Sequence, residues 1–176
     1  MNLKDKEVEL RKFRKSDISR LAQHANNEKI SRNLRDRFPY PYTLADAEYF
    51  IDNCLKEDPV MTFAIEYNGE HVGNIGLLHG QDVYRKSAEI GYFIGEEYWN
   101  KGIATRAVKL ITKYGFEVLD IIRIHTGVYE YNPASMRVLE KCGFEKDCVF
   151  RKSVFKKNRI WDEHRYSLIN PKYETI

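Results

Sequence analysis

The sequence predicts an α+β fold: a mixed, mostly antiparallel sheet of about seven strands with helices on both faces. Three observations predict it. Apolar, β-prone runs and amphipathic helical stretches follow one another in the order β-α-α-α-β-β-β-α-β-α-β-β. The pair Asn68-Gly69 joins two of the runs, a strong hairpin signal because both central residues of a type I′ turn need φ > 0. A long helical stretch then separates two later runs, and such a crossover makes them parallel neighbours. The 176 residues, 43% hydrophobic and 13% aromatic, suit one domain spanning residues 1–176 around one substantial core.

Val8 to Phe13 reads as the opening strand. Ser16-Asp17 offers an N-cap for an amphipathic helix through Ile18, Leu21, Ala22 and Ala25. A second short helix covers Asn27 to Leu34, and the two prolines between Arg35 and Tyr42 make that segment a loop. Thr43 and Asp46, three residues apart, form a capping box for a helix through Ala47, Phe50, Ile51 and Leu55. Met61–Tyr67 and His71–Leu78 are the two arms of the Asn-Gly hairpin, and Ser87–Ile94 is the next strand. The long helix follows Gly102, with Ile103, Ala107, Leu110, Ile111, Tyr114 and Val118 on one face. Arg123–Val128 alternates Ile124, Thr126 and Val128 against Arg123, His125 and Gly127, as a strand does. Asn132-Pro133 caps and opens the last helix, and Cys142-Gly143 closes it. Phe144–Val154 and Arg159–Ile169 form a final hairpin across a basic turn.

Composition removes several functional classes. With 29 basic and 26 acidic residues the charge is +3, short of the basic excess of a nucleic-acid-binding domain. Arg151, Lys152, Lys156, Lys157 and Arg159 cluster, and read as a solvated hairpin surface. The N-terminal MNLKDKEVELRK lacks the apolar run of a signal peptide, and no stretch is long and apolar enough to span a membrane. Cys54, Cys142 and Cys148 lack C-x-x-C spacing, and the five His residues show no ligand spacing. The expectation is a cytoplasmic protein without metal, nucleic-acid or membrane partners.

Two strand-loop-helix units carry chemistry. In the first, Trp99-Asn100-Lys101 leads into a helix starting at Gly102-Ile103-Ala104, with Thr105 following. Small residues let a large anion approach the backbone, and first-turn N–H groups with the positive end of the helix dipole would hold it. In the second, Asn132 caps its helix, and Ser135 stands at the same helix entrance. A plain helix start explains the first unit, and a well-capped helix the second. Their pairing one strand apart is what points to a shared ligand.

These stretches resemble the GNAT acetyltransferases, most closely the RimJ/RimL-like branch. Trp99-Asn100-Lys101-Gly102-Ile103-Ala104 fills the family's [Q/R]-x-x-G-x-[G/A] loop, with Trp in place of Gln or Arg. Asn132-x-x-Ser135…Leu139-Glu140-Lys141-x-Gly143-Phe144 is similar to its second cofactor segment, and Pro41-Tyr42-Thr43 and Asp162-x-x-x-Tyr166-Ser167-Leu168 match in order. The resemblance implies acetyl-coenzyme A as co-substrate and a sheet splayed between its fourth and fifth strands, near Phe93-Ile94, whose backbone would bind the pantetheine arm. It implies direct attack of an amine on the thioester in a ternary complex. Glu89 matches the family's strand glutamate and is the candidate base; it shares its strand face with Gly91 and Phe93. A backbone N–H near Ile94 is the candidate oxyanion donor. Leu139 stands where several members carry a tyrosine acid, which turns attention to Ser135, with Tyr131 in reserve. The acceptor would meet Arg32, Arg37, Phe38, Tyr40 and Trp161. The acceptor is expected to be a protein N-terminus or a small-molecule amine, and the protein a monomer or homodimer. A polyamine is a rival acceptor, which the missing tyrosine and the arginine-rich loop oppose. A non-catalytic acyl-CoA-binding module and a basic nucleic-acid-binding domain are rivals from other classes.

Overall fold

The computed structural model describes residues 3–173. In chain order its elements are β1 (Lys4–Asp5), β2 (Val8–Arg11), α1 (Ile18–Ala25), α2 (Glu28–Ser31), α3 (Leu44–Cys54), β3 (Thr62–Tyr67), β4 (Glu70–His79), β5 (Ser87–Ile94), α4 (Ile103–Glu117), β6 (Arg123–Tyr129), α5 (Pro133–Lys141), β7 (Glu145–Lys156) and β8 (Arg159–Ile169). The strands form one eight-stranded sheet in the order β1-β2-β3-β4-β5-β6-β8-β7. The eighth strand is the short Lys4–Asp5, which carries no apolar pattern and exists by pairing with Val8–Glu9.

Local chemistry sets most boundaries. Asn68 and Gly69 take φ of +52° and +84° in the β3–β4 turn. Thr43 Oγ1 accepts from Asp46 N–H and Asp46 accepts from Thr43 N–H, the reciprocal box that starts α3. Asn132 Oδ1 accepts from Ser135 N–H at the start of α5. Asp17 departs from expectation. It precedes α1 without capping it, because its carboxylate accepts from Arg14 N–H and from both Arg11 Nη atoms, at 2.8–2.9 Å. Arg11 also donates to Glu66, so Asp17 belongs to a partly buried three-residue charge cluster. Val118 lies past the end of α4 and is exposed rather than on its apolar face. In the basic turn Lys156 is buried, whereas Arg151, Lys152, Lys157 and Arg159 are exposed.

The chain divides into two compact units that share β4, β5 and α4 between them. One unit holds residues up to Gly76 together with Tyr92–Ile111. Its core packs Phe13, Leu21, Ala25, Tyr42, Ala47, Ile51 and Phe93, with Phe38 and Phe50 leaning on it. The other holds Leu77–Gly91 and the chain from Thr112. Here β5 and β6 pair in parallel as Ser87↔Arg123, Ala88↔Ile124 and Glu89↔His125, the crossover expected from the sequence. The ladder stops there, before β5 ends at Ile94 and β6 at Tyr129. β8 then pairs antiparallel with β6 on one side and β7 on the other. A Cβ on Gly115 would stand 2.9 Å from Leu77 Cδ1 and 3.0 Å from Ile124 Cδ1, so the end of α4 lies close over the Leu77–Ile124 face. Glu89 and His125 are on the opposite face, by strand alternation.

Candidate active site

The first unit contains the whole run from Phe93 to Thr105. Asn100 and Gly102 take φ of +61° and +72°, which aims the backbone into α4; a Cβ on Gly102 would meet nothing within 4 Å. Arg106 N–H closes the first bond of the helix, onto Gly102 O at 3.2 Å. The amides of Ile103 and Ala104 precede it and have no acceptor within their own helix. An open approach, outward amides and the helix dipole together fit a phosphate-bearing cofactor.

This loop is held from behind. Trp99 Nε1 donates to Ile94 O at 2.7 Å, so the tryptophan ties the loop to the end of β5. Lys101 Nζ stands 5.0 Å from the Tyr98 ring centroid, and Tyr98 OH donates to Glu70 at 2.9 Å. Glu96 is bound by Asn27 Nδ2 at 2.7 Å and by Lys29, and these two partners hold its carboxyl below the ordinary range. His24 is buried, donates from Nε2 to His71 O at 3.1 Å, and stacks on His71 at 6.0 Å. Behind the pair Phe93-Ile94, Gly73 lets β4 come so close that a Cβ there would overlap Phe93 O.

Around this loop the candidate acceptor residues separate. Phe38 packs edge-on against Phe93 at 5.8 Å and tilted against Tyr42 at 5.0 Å, which anchors its loop. Arg32, Arg37 and Tyr40 are exposed.

The second unit holds Glu89, Tyr131, Asn132, Ser135 and Trp161. Tyr131 and Trp161 are brought together, edge-on at 4.7 Å, with Tyr129 5.7 Å from Tyr131. Asn132 and Ser135 meet at the helix cap, while Leu139 is fully buried. Glu89 is half-buried, and its register partner is His125. Three residues absent from the sequence-based set stand on that face: His125, Arg165 and Glu163. Arg165 Nη2 lies 3.2 Å from His125 Nδ1, and Arg165 Nη1 donates to Glu163 at 3.1 Å. Burial lowers the His125 pKa and Arg165 lowers it further, against the opposing pull of Glu89. Nothing local in the sequence marks this cluster, because strand pairing across forty residues creates it. Among the described residues no group of His, Cys, Asp and Glu is arranged to hold a metal. Nor is any helix there long and apolar enough to cross a membrane.

Comparison with known proteins accords with this arrangement. The model of the family described as "Acetyltransferase (GNAT) domain" matches residues 7–145. The chain is 44% identical over 101 residues to the probable N-acetyltransferase YjcK of Bacillus subtilis, covering 57% of this chain and 55% of YjcK; it thus spans about half the length of that relative. It is 31% identical over 138 residues to the spermidine N(1)-acetyltransferase of Escherichia coli, covering 78% of this chain and 72% of the relative. A solved acetyltransferase of the GNAT family from Bacillus anthracis superposes with a TM-score of 0.83 at 26% identity, covering 97% of this chain and 99% of that one.

Proposed function

The chain belongs to the acetyltransferase (GNAT) family, and from that premise we propose that it transfers the acetyl group of acetyl-CoA to a primary amine by direct attack. We read residues 1–176 as one N-acetyltransferase domain. The observation that carries the reading is the Asn100–Ala104 loop, with positive φ at Asn100 and Gly102 and open space where a Gly102 side chain would stand. Trp99, Lys101, Ile103 and Thr105 complete that cradle, Phe93 and Ile94 take the pantetheine arm, and Asn132 and Ser135 flank the thiol. The acceptor nitrogen attacks the thioester carbonyl, its proton passes to Glu89 directly or through water, and the carbon–sulfur bond breaks to release the thiolate. The Ile94 amide donates to the oxyanion. Ser135 donates a hydrogen bond to the sulfur, and Tyr131 is its reserve.

The acceptor is a small-molecule amine or a protein N-terminus, approached past Arg32, Arg37, Phe38, Tyr40 and Trp161. A polyamine is the second reading, favoured by the likeness to the spermidine enzyme. Fully buried Leu139 and the exposed arginines oppose it. Thiol release from acetyl-CoA with a panel of amines tests all of this. The panel is a peptide with a free N-terminus, free amino acids, spermidine and a no-amine control. Amine-dependent release is expected, with Glu89→Gln lower by on the order of 10²-fold at pH 7 and the defect shrinking at high pH. Acetyl-CoA binding without release on any amine would make the chain a non-catalytic module.

A further inference from the structure

Three strands set ionisable side chains in a row on the face opposite α4. Glu89 of β5 and His125 of β6 are partners in the parallel ladder, so both side chains leave the sheet on the same side. Across the other edge of β6, Gly127 is paired with Arg165 of β8, and Tyr129 with Glu163. Gly127 offers no side chain, and the Arg165 and Glu163 head groups fill the space: a Cβ there would overlap the Glu163 carboxylate and stand 2.8 Å from Arg165 Nη1. The guanidinium is thereby fixed between Glu163, His125 Nδ1 and the Phe150 ring, whose centroid lies 5.6 Å from Cζ. A guanidinium donates hydrogen bonds and does not accept them, nor does it lose its proton. His125 Nδ1 must therefore be the acceptor, and the neutral ring carries its proton on Nε2. β8 and β5 flank β6 on opposite sides, so Glu89 stands across β6 from Arg165, beside the His125 that Arg165 holds by Nδ1.

We propose that His125, locked by Arg165 into the Nε2–H tautomer, is a positioning residue that donates to the Glu89 carboxylate and orients it toward the acceptor amine. This rests on the reading of Glu89 as the base. The charged groups facing His125 are Glu89 on β5, Arg123 on β6, Asp147 on β7 and Arg165 on β8; burial above all favours the neutral ring, the two cations add to it and the two carboxylates oppose it. A neutral ring cannot exchange roles with Glu89 near pH 7; it can only hold it.

Nitrogen NMR of the histidine side chains in the full chain reads the tautomer without any substrate. The Nε2–H form is expected for His125, and Arg165→Met should give a mixture of tautomers. In kinetics, His125→Leu is expected to lower kcat about tenfold at an unchanged KM for acetyl-CoA. It should also raise the acid limb of the kcat/KM profile by about one pH unit, the size of one lost hydrogen bond to a carboxylate. His125→Gln, which keeps an N–H donor, should recover part of the shift. A Nδ1-protonated ring in the native chain, or an unchanged tautomer in Arg165→Met, overturns the proposal. An impaired Glu89→Gln beside an unmoved acid limb in His125→Leu overturns the positioning role alone. Full activity in Glu89→Gln removes the base and the positioning role together.

Discussion

Two glycines on neighbouring strands separate a residue that shapes the site from one that merely occupies a strand. At Gly73 a Cβ would overlap Phe93 O, a backbone atom that cannot step aside cheaply, whereas at Gly91 a Cβ would meet nothing within 4 Å. Gly73→Ala should therefore lose about 1–3 kcal/mol in urea unfolding, as overpacking does. It should also raise the KM for acetyl-CoA, because it displaces the strand end assigned to the pantetheine arm. Gly91→Ala should be neutral or gain about 0.5 kcal/mol by restricting the unfolded chain. Equal effects from the two would mean that β4 and β5 relax freely at Gly73. Gly102 is a different case, since its side-chain space is open but its φ is +72°. Gly102→Val should add roughly 1–2 kcal/mol of backbone strain, leave the chain folded, and weaken coenzyme A binding at least tenfold by calorimetry. Unchanged affinity would remove this loop from the phosphate site. Gly102 was legible in the sequence because the helix start beside it is local. Gly73 was not, because the strand it accommodates lies twenty residues away.

At the scale of elements, the readable features were those closed within three or four residues. The Thr43–Asp46 box, the Asn68-Gly69 turn and the Asn132 cap each satisfy backbone groups next to themselves, so sequence spacing alone exposes them. Asp17 looked equally local, yet it turned to Arg11, since a partly buried guanidinium offering two charged donors outcompetes a helix end that water can reach. Lys156 likewise escaped the solvated hairpin that its neighbours form. Trp99 shows an element borrowing a distant residue type. Its N–H bond to Ile94 O joins the Asn100–Ala104 loop to β5, although the side chain remains 39% exposed. Trp99→Phe keeps the ring but removes that donor. The expected outcome is a loss of about 1 kcal/mol in stability and a KM for acetyl-CoA raised severalfold, with kcat nearly kept. A lowered kcat at unchanged KM would instead tie the indole to the chemical step.

Over the whole chain, the crossover and the hairpins were legible, whereas the insertion of β8 between β6 and β7 was not, because only long-range pairing decides it. The same long-range packing buries ionisable groups, and so makes stability depend on pH. His71 is 4% exposed between Phe13 and His24, and neither ring nitrogen has a hydrogen-bond partner. Burial pushes its pKa down from 6.5 to about 4, and burial lowers that of His24 as well. A histidine with a depressed folded pKa is protonated first in the unfolded chain, so acid favours unfolding. The native advantage is full above pH 6.5, is lost as pH falls from there toward 4, and changes no further below the folded value. At about 1.4 kcal/mol per unit, His71 contributes on the order of 3 kcal/mol across that window. Asp17 adds to the same trend at lower pH: its folded pKa is depressed by Arg11 and the Arg14 amide against the cost of burial, so its contribution goes only as the carboxylate protonates. Between pH 7 and pH 5 most carboxylates stay ionised, and the histidines are what titrate. The urea midpoint should fall over that range in the native chain. His71→Phe preserves the ring stack and cannot be protonated, so its midpoint should fall less steeply, with the His24 and His125 slopes remaining. Parallel slopes in the two proteins would show that His71 gains a proton in the folded state without penalty, and would place the acid sensitivity elsewhere.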